Sequence, residues 1–282
     1  MVFTVAPLAP SNPSPPWSAP RAVKRYAVDL TAAACASLLV SPVIAAVDRA
    51  IVENTAGKAT LSTSLRGSLH MAIRTPLQFV RHRAFMWTFG LYGATYAAAN
   101  VIDTSCEWAA VDGRLPKFLF TTPVNMGLVL RKDVAFARMF GANSGTATAP
   151  FPRASLALFA ARDAHTVLAA FLLPPVAGAW LHEQGLVSTR ARGELVAQLA
   201  APCVVQLMST PYHILGLDLF NRPTRQGAAA PTIASRWAVI RQKYAITVAA
   251  RMGRILPAFG VGGVANRHVR QTLAGVCVPC VK

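Results

Sequence analysis

The stretch STPYHILGLDLFNRP, residues 209–223, places a serine, a threonine and a proline at the end of an apolar run. Two earlier stretches repeat this arrangement, VSPVIAAVDRA at 40–50 and TTPVNMGLVLRKD at 121–133. A proline inside a helix removes one backbone hydrogen bond and bends the helix. The three stretches therefore predict three helices that each carry a kink at Pro42, Pro123 or Pro211.

The composition favours a membrane protein. Hydrophobic residues make up 54% of the 282-residue chain and charged residues only 14%, whereas ordinary soluble domains have about 25% charged residues. The net charge of +17 comes mostly from basic residues between apolar runs, as expected of loops at a membrane surface. A nucleic-acid-binding protein would be richer in charge and would cluster it, so we predict no nucleic-acid partner.

Six stretches are predicted to be helices, and each contains an apolar segment near the roughly 17 to 25 residues that cross a bilayer. Polar residues interrupt them, and such groups should face the interior of a helix bundle. The predicted helices are Tyr26–Glu53, Phe85–Ile102, Pro116–Phe140, Arg153–Leu181, Glu194–Leu219 and Ile240–Val264.

The spacing of the three prolines predicts a triplicated unit. Pro42 and Pro123 are 81 residues apart, and Pro123 and Pro211 are 88 apart. Only the first, third and fifth helices carry the Ser/Thr-Pro feature, so each unit has two helices. The predicted fold is an all-α membrane protein with six transmembrane helices and pseudo-threefold symmetry. Its repeats cover about 23–112, 113–185 and 190–271, between a proline-rich disordered tail at 1–22 and a C-terminal tail at 272–282.

At this point the chain resembles the mitochondrial carrier family. The segment RMGRILPAFGVGGVANRHVR at 251–270 is similar to the sixth carrier helix, with Arg254 and Pro257 in its Arg-x-x-Pro positions. The resemblance implies a transporter in the mitochondrial inner membrane that moves a metabolite by alternating access. The outer membrane or another organelle membrane remains an alternative location.

The fourth helix supplies the candidate substrate residues. LFAARDAHTVLAAF at 158–171 resembles the fourth carrier helix, with Arg162 and Asp163 matching and His165 in place of its proline. The resemblance implies that these three residues and Arg254 bind a small anionic or zwitterionic metabolite. Two alternatives stay open: Arg162 and Asp163 form a structural pair, or Arg254 extends to the membrane interface.

The chain departs from the carrier pattern where carriers hold the ion pairs that close the cavity. Those positions carry neutral or weakly basic residues, so we expect no ion pair among them and assign gating to the prolines, Asn125 and His213. We also expect Asn125 and Gln206 to make interhelical hydrogen bonds. Loss of the ion pairs supports an alternative function, a non-transporting scaffold or accessory subunit of a membrane complex. The positions are Ile44, Val47, Asn125, Leu128, His213 and Gly216.

Catalysis is not predicted. The chain has no phosphate-binding loop, nucleophile elbow, zinc-ligand spacing or paired carboxylate set, so we expect neither an enzyme nor a cofactor. The CVPC sequence at 277–280 is too short a signal for a metal site. The basic amphipathic segments at 74–83 and 236–243 predict contact with anionic lipid such as cardiolipin.

Overall fold

The computed structural model describes residues 19–142, 150–223 and 230–277, and this part of the chain is almost entirely helical. The predicted all-α class is confirmed. Most of the predicted N-terminal tail and the last five residues lie outside the described residues. Where the structure describes the predicted tails, they are helical: the first helix already begins at Ala19, and the last continues to Cys277.

The described residues form nine α-helices and one π-helical turn, joined by short connections. Five of the six predicted long helices are present, each with ends that extend the prediction by up to seven residues. The elements are α1 (Ala19–Thr55), α2 (Leu61–Arg74), α3 (Pro76–Arg81), α4 (Arg83–Ala109), α5 (Arg114–Phe140), α6 (Arg153–Glu183), α7 (Arg190–Asn221), α8 (Ile233–Gly253), the π-helical turn (Leu256–Val261) and α9 (Gly262–Cys277).

The sixth predicted helix is broken. Instead of one helix over Ile240–Val264, the chain forms α8, the π-helical turn and α9. Gly253 at the end of α8 and Pro257 at the start of the turn explain the break. Glycine weakens a helix, and proline cannot donate the backbone hydrogen bond that would continue it.

Length and hydropathy single out α1 among the described helices. Its segment Pro20–Thr55 is long and apolar enough to cross a membrane, and the pair Arg153–Ala169 and Leu173–Glu183, bent by 41°, forms a second candidate. The other long helices carry more charge; α5, for example, contains Arg131, Lys132 and Asp133 in succession. The architecture of six spans in three repeats therefore stays a prediction.

Consecutive long helices pack side by side and the last returns to the first. α1 packs against α4, α4 against α5, α6 against α7, α7 against α8, and α9 against α1, with a smaller contact between α5 and α6. The approach of α6 and α7 depends on glycine, because a Cβ atom on Gly193 would overlap the backbone of Gly178. The helices thus surround a common interior.

An aromatic cluster fills one end of this interior, near the C-terminal ends of α1, α5 and α7. Phe136, Phe140, Phe159 and Phe220 are buried there, and the ring of Phe220 stacks on Phe151 with centroids 4.8 Å apart. Burying a large side chain contributes about 1.5 to 3 kcal/mol. The cluster therefore stabilises the packing of α5, α6 and α7 at this end of the bundle.

The hydroxyl groups before two of the prolines bond to the helix backbone. Ser41 Oγ donates to the carbonyl of Ser37, and Thr210 Oγ1 donates to that of Gln206, both at 2.6 Å. Pro211 also leaves the carbonyl of Leu207 without its helical donor, and Tyr244 Oη donates to it at 2.8 Å. The helices α1, α5 and α7 continue past their prolines; kinking and gating there stay predictions.

Candidate functional site

Directly beside the aromatic cluster lies a chain of buried charged side chains. Asp48 on α1 is at its centre: Lys132 Nζ of α5 lies 2.5 Å from Asp48 Oδ2, and Arg254 Nη1, next to the end of α8, lies 2.7 Å from Asp48 Oδ1. Three separate segments of the chain therefore meet at one carboxylate.

The chain of charges continues from α5 to α6. Lys132 Nζ also lies 2.9 Å from Asp133 Oδ1, and Arg162 Nη1 lies 2.6 Å from Asp133 Oδ2. Arg162 Nη2 then pairs with Asp163 Oδ1 at 2.7 Å. Arg162 Nη1 is also 2.8 Å from Nδ1 of His213 on α7, which therefore accepts. Five of the long helical segments thus contribute to one network.

These charges are held away from water. Arg162 is 1% exposed and Lys132 2%. Removing one member of a buried ion pair typically costs about 3 to 5 kcal/mol, because the other member is left charged and unpaired. The ion pairs that join different segments, Lys132–Asp48, Arg162–Asp133 and Arg254–Asp48, therefore make the position of one helix depend strongly on that of its neighbours.

The comparison with carriers predicted no ion pair among the six positions that it named, but it missed the buried ion-pair network beside them. The positions compared with carriers are indeed uncharged, but Asp48 lies one residue after Val47, and Lys132 and Asp133 lie one turn after Leu128. An α-helix turns 100° per residue, so Asp48, four residues after Ile44, and Lys132, four residues after Leu128, lie on nearly the same helix face one turn further along. The signal in the sequence was charge at the ends of apolar runs.

The structure brings three of the four predicted substrate residues into this network. Arg162, Asp163 and Arg254 are joined through it, so the structural pair foreseen as an alternative for Arg162 and Asp163 is present. His165 points elsewhere: its Nδ1 contacts the carbonyl of Ala161 at 2.7 Å, and its ring stacks on Tyr212. Substrate binding by these residues stays a prediction.

Among the predicted gating residues, Asn125 and His213 have clear partners. Asn125 Nδ2 donates to Thr95 Oγ1 at 3.1 Å, joining α5 to α4. His213 accepts from Arg162 and its ring lies 5.6 Å from that of Phe159. The interhelical hydrogen bonds expected of Asn125 and Gln206 are present.

Arg251 was not singled out from the sequence, although it is 3% exposed. Its Nε donates to Gln206 Oε1 at 2.9 Å, and its Nη2 donates to Ser209 Oγ at 3.4 Å. Both acceptors are neutral groups on α7. In the described part of the chain, no carboxylate lies within ion-pair distance of Arg251.

A second polar network joins α1, α4 and α9. It lies about 28 Å from the first network, which is the distance along α1 from Asp48 to Asp29 at a rise of about 1.5 Å per residue. Arg270 Nε lies 2.6 Å from Asp29 Oδ1, and Thr104 Oγ1 donates to Asp29 Oδ2 at 2.5 Å. Asn100 and Asn266 exchange hydrogen bonds of 2.9 and 2.8 Å beside them. The interior is thus bounded by a polar network towards each end of α1.

Comparison with known proteins points to one family. Residues 32–274 match the model of a family described as "Probable citrulline exporter". The assignment to the mitochondrial carrier family was therefore wrong, and the Arg-x-x-Pro and Arg-Asp patterns that suggested it are too short to decide between helical transporters. No curated protein and no solved structure matches the chain.

Proposed function

Because the chain belongs to the family of probable citrulline exporters, we propose that it exports citrulline or a similar zwitterionic amino acid across a membrane. The family supports a membrane transport protein for a small metabolite. The observation that carries the proposal to this chain is the buried charge network, which contains Arg162 and Asp163 side by side. The proposal includes no catalytic step and no cofactor.

The network suits a transporter that alternates between two states. Charges buried among several helices are stable only while the helices keep their positions. A solute that offers its own carboxylate and ammonium groups can replace some of these contacts and so favour a second arrangement. Transport by alternating access is therefore consistent with the arrangement of Asp48, Lys132 and Arg162.

Efflux from proteoliposomes tests the proposal. Vesicles containing the purified chain and loaded with labelled L-citrulline should release it faster than protein-free vesicles. Arg162→Ala should lower this rate by about tenfold or more, because Asp133 and Asp163 lose their shared partner. Arg190→Ala, at an exposed position near the start of α7, is the matched control and should leave the rate unchanged.

Two results would contradict the proposal. Wild-type vesicles that release neither citrulline nor another zwitterionic amino acid would show that the protein is not this kind of transporter. Normal efflux by Arg162→Ala, with the variant folded in detergent, would remove Arg162 from the mechanism.

The alternative function of a non-transporting scaffold or accessory subunit stays a prediction: the carrier positions that motivated it form no ion pairs, although a separate ion-pair network lies beside them. The finer location also remains a prediction. The mitochondrial inner membrane, or alternatively the outer membrane, can be tested by imaging a tagged full-length chain. The predicted contact with cardiolipin and membership of a larger complex are open to lipid analysis and native electrophoresis of the same preparation.

A further inference from the structure

The buried charges in the centre of the bundle do not balance. Each of three cations has a carboxylate within 2.7 Å, whereas Arg251 has none among the described residues. The surplus positive charge therefore resides on Arg251. The cations are the buried Lys132, Arg162 and Arg251 and the half-buried Arg254, and the carboxylates are the buried Asp48 and Asp133 and the half-buried Asp163.

The surroundings of Arg251 hold its guanidinium in place without neutralising it. Gln206 and Ser209 use one carbonyl oxygen and one hydroxyl oxygen as acceptors, and a guanidinium has five N–H donors in a planar fork that matches a carboxylate. A buried cation that meets only neutral acceptors is unfavourable. Such a group is expected where an anion from outside the chain completes the site.

Asp163 on α6 has the complementary need, because in the described part of the chain one of its carboxylate oxygens lacks a hydrogen-bond donor. Its Oδ1 pairs with Arg162, but its Oδ2 is buried and has no hydrogen-bond partner in the described residues. Arg251 contacts Ser209, one helical turn before His213 on α7, and His213 contacts Arg162, the partner of Asp163. Within the described ranges, Arg251 thus supplies a cation without a carboxylate partner, and Asp163 supplies a carboxylate oxygen without a hydrogen-bond donor.

We infer that Arg251 and Asp163 form the two ends of a binding site for a zwitterionic α-amino acid. Arg251 binds the α-carboxylate, and Asp163 Oδ2 accepts from the α-ammonium group. Gln206 and Ser209 are positioning residues that orient the guanidinium. The inference rests on the proposed function and names the side chains that recognise its substrate.

Ligands that lack one charged group test each end of the site separately. Binding to the full-length chain in detergent is measured by calorimetry with L-citrulline, its methyl ester and its Nα-acetyl derivative. The wild-type chain should prefer citrulline to either derivative by about tenfold to a hundredfold, the usual effect of losing a hydrogen bond to a charged group.

The variants should then lose one preference each. Arg251→Gln should bind citrulline and its methyl ester equally while still rejecting the acetyl derivative. Asp163→Asn, which keeps the oxygen next to Arg162, should show the opposite pattern. Arg190→Gln, an equal loss of charge at an exposed position near the start of α7, should keep both preferences.

The melting temperature without ligand serves as the folding control. Arg251→Gln should melt at the same or a higher temperature than the wild type, since it removes an unneutralised buried cation. Its loss of affinity then reflects the site and not unfolding.

The outcomes separate the site from the function. If the wild type transports citrulline and Arg251→Gln still distinguishes acid from ester, the site is wrong and the function stands. If the wild type binds citrulline with both preferences but moves none, the function fails and the site stands. If it neither binds nor transports any zwitterionic amino acid, both are overturned.

Discussion

At the scale of single residues, Gly262 decides how closely the last helical segment approaches α1 and α4. A Cβ atom at this position would overlap the hydroxyl of Tyr96 and lie 3.0 Å from Val40 Cγ1. Tyr96 cannot easily move, because it is 1% exposed and its Oη donates to the carbonyl of Ala258 at 2.8 Å. The hydrogen bond also satisfies a carbonyl in the π-helical turn.

Gly262→Ala should therefore destabilise the protein by about 1 to 3 kcal/mol, as overpacking in a tight core does. The adjacent Gly263 is the matched control, since a Cβ atom there meets nothing within 4 Å. Gly263→Ala should be neutral or stabilise the helix by up to about 1 kcal/mol. Thermal unfolding of both variants in detergent measures the difference. Equal melting temperatures would show that the close approach of Gly262 is unimportant.

Residue-scale prediction from sequence worked where charged residues stood in the middle of an apolar run. Arg162 was found in this way, because an intramembrane charge is a functional candidate by default. Asp48 and Lys132 were missed because each lies near the end of its apolar run, where a charged residue is ordinary. Arg251 was missed because only Arg254 has the Arg-x-x-Pro spacing to Pro257, and nothing in the sequence shows that Arg254 ends up beside a carboxylate while Arg251 does not.

At the scale of elements, α4 has an unusual N-terminal cap. His82 Nδ1 accepts a hydrogen bond from the backbone N–H of Ala84 at 3.2 Å, so the imidazole must be neutral at this nitrogen. Burial, and then the charge of Arg49, lower the pKa of His82 below its usual value. The residue lies before the predicted span and stacks on Phe140 of the aromatic cluster.

Protonation of His82 should thus weaken the start of α4. Because the folded-state pKa lies below the unfolded value of about 6.5, the unfolded chain binds protons more readily. The stabilisation is fully present above pH 6.5 and is lost as the pH falls through the folded-state pKa. It should amount to about 1 kcal/mol, typical of an N-terminal cap.

His82→Asn provides the comparison, since asparagine caps a helix without titrating in this range. Chemical unfolding between pH 7.5 and 5 should show the wild type losing more stability than the variant. The difference between the two curves isolates His82 from the other histidines. Parallel curves would contradict the assignment of this cap.

The predicted helices were accurate where apolar runs were long. The prediction failed where a proline changed the backbone hydrogen bonding of a helix. The start of α5 at Arg114 and its end at Phe140 follow the apolar pattern closely. The sixth segment did not, because Pro257 replaces a regular turn with a π-helical one. Hydrophobic periodicity contains no information about such a local change of hydrogen bonding.

At the scale of the whole molecule, α9 closes the helix assembly by returning to α1. The contact is polar at its end: Arg270 pairs with Asp29, which is 0% exposed, and Arg270 Nη2 donates to Thr104 Oγ1 at 2.7 Å. Asp29 and Arg270 are 241 positions apart in the chain. No local sequence pattern could have paired them.

This closure predicts a strong and specific coupling between Asp29 and Arg270. Arg270→Ala should destabilise the protein by about 3 to 5 kcal/mol, because Asp29 is left charged and without its ion-pair partner. Asp29→Asn alone should also destabilise, but the double variant should cost clearly less than the sum of the two. Thermal unfolding of the four proteins in detergent gives the coupling energy.

The exposed pair of Arg190 and Glu194 supplies the control for this cycle. Its side chains are 62% and 37% exposed, and such pairs contribute about 1 kcal/mol or less. Arg190→Ala should therefore leave the melting temperature nearly unchanged. If the effects of Asp29→Asn and Arg270→Ala simply add, α9 does not close the assembly through this ion pair. Strong coupling would instead establish that the first and last helices are joined where the structure places them.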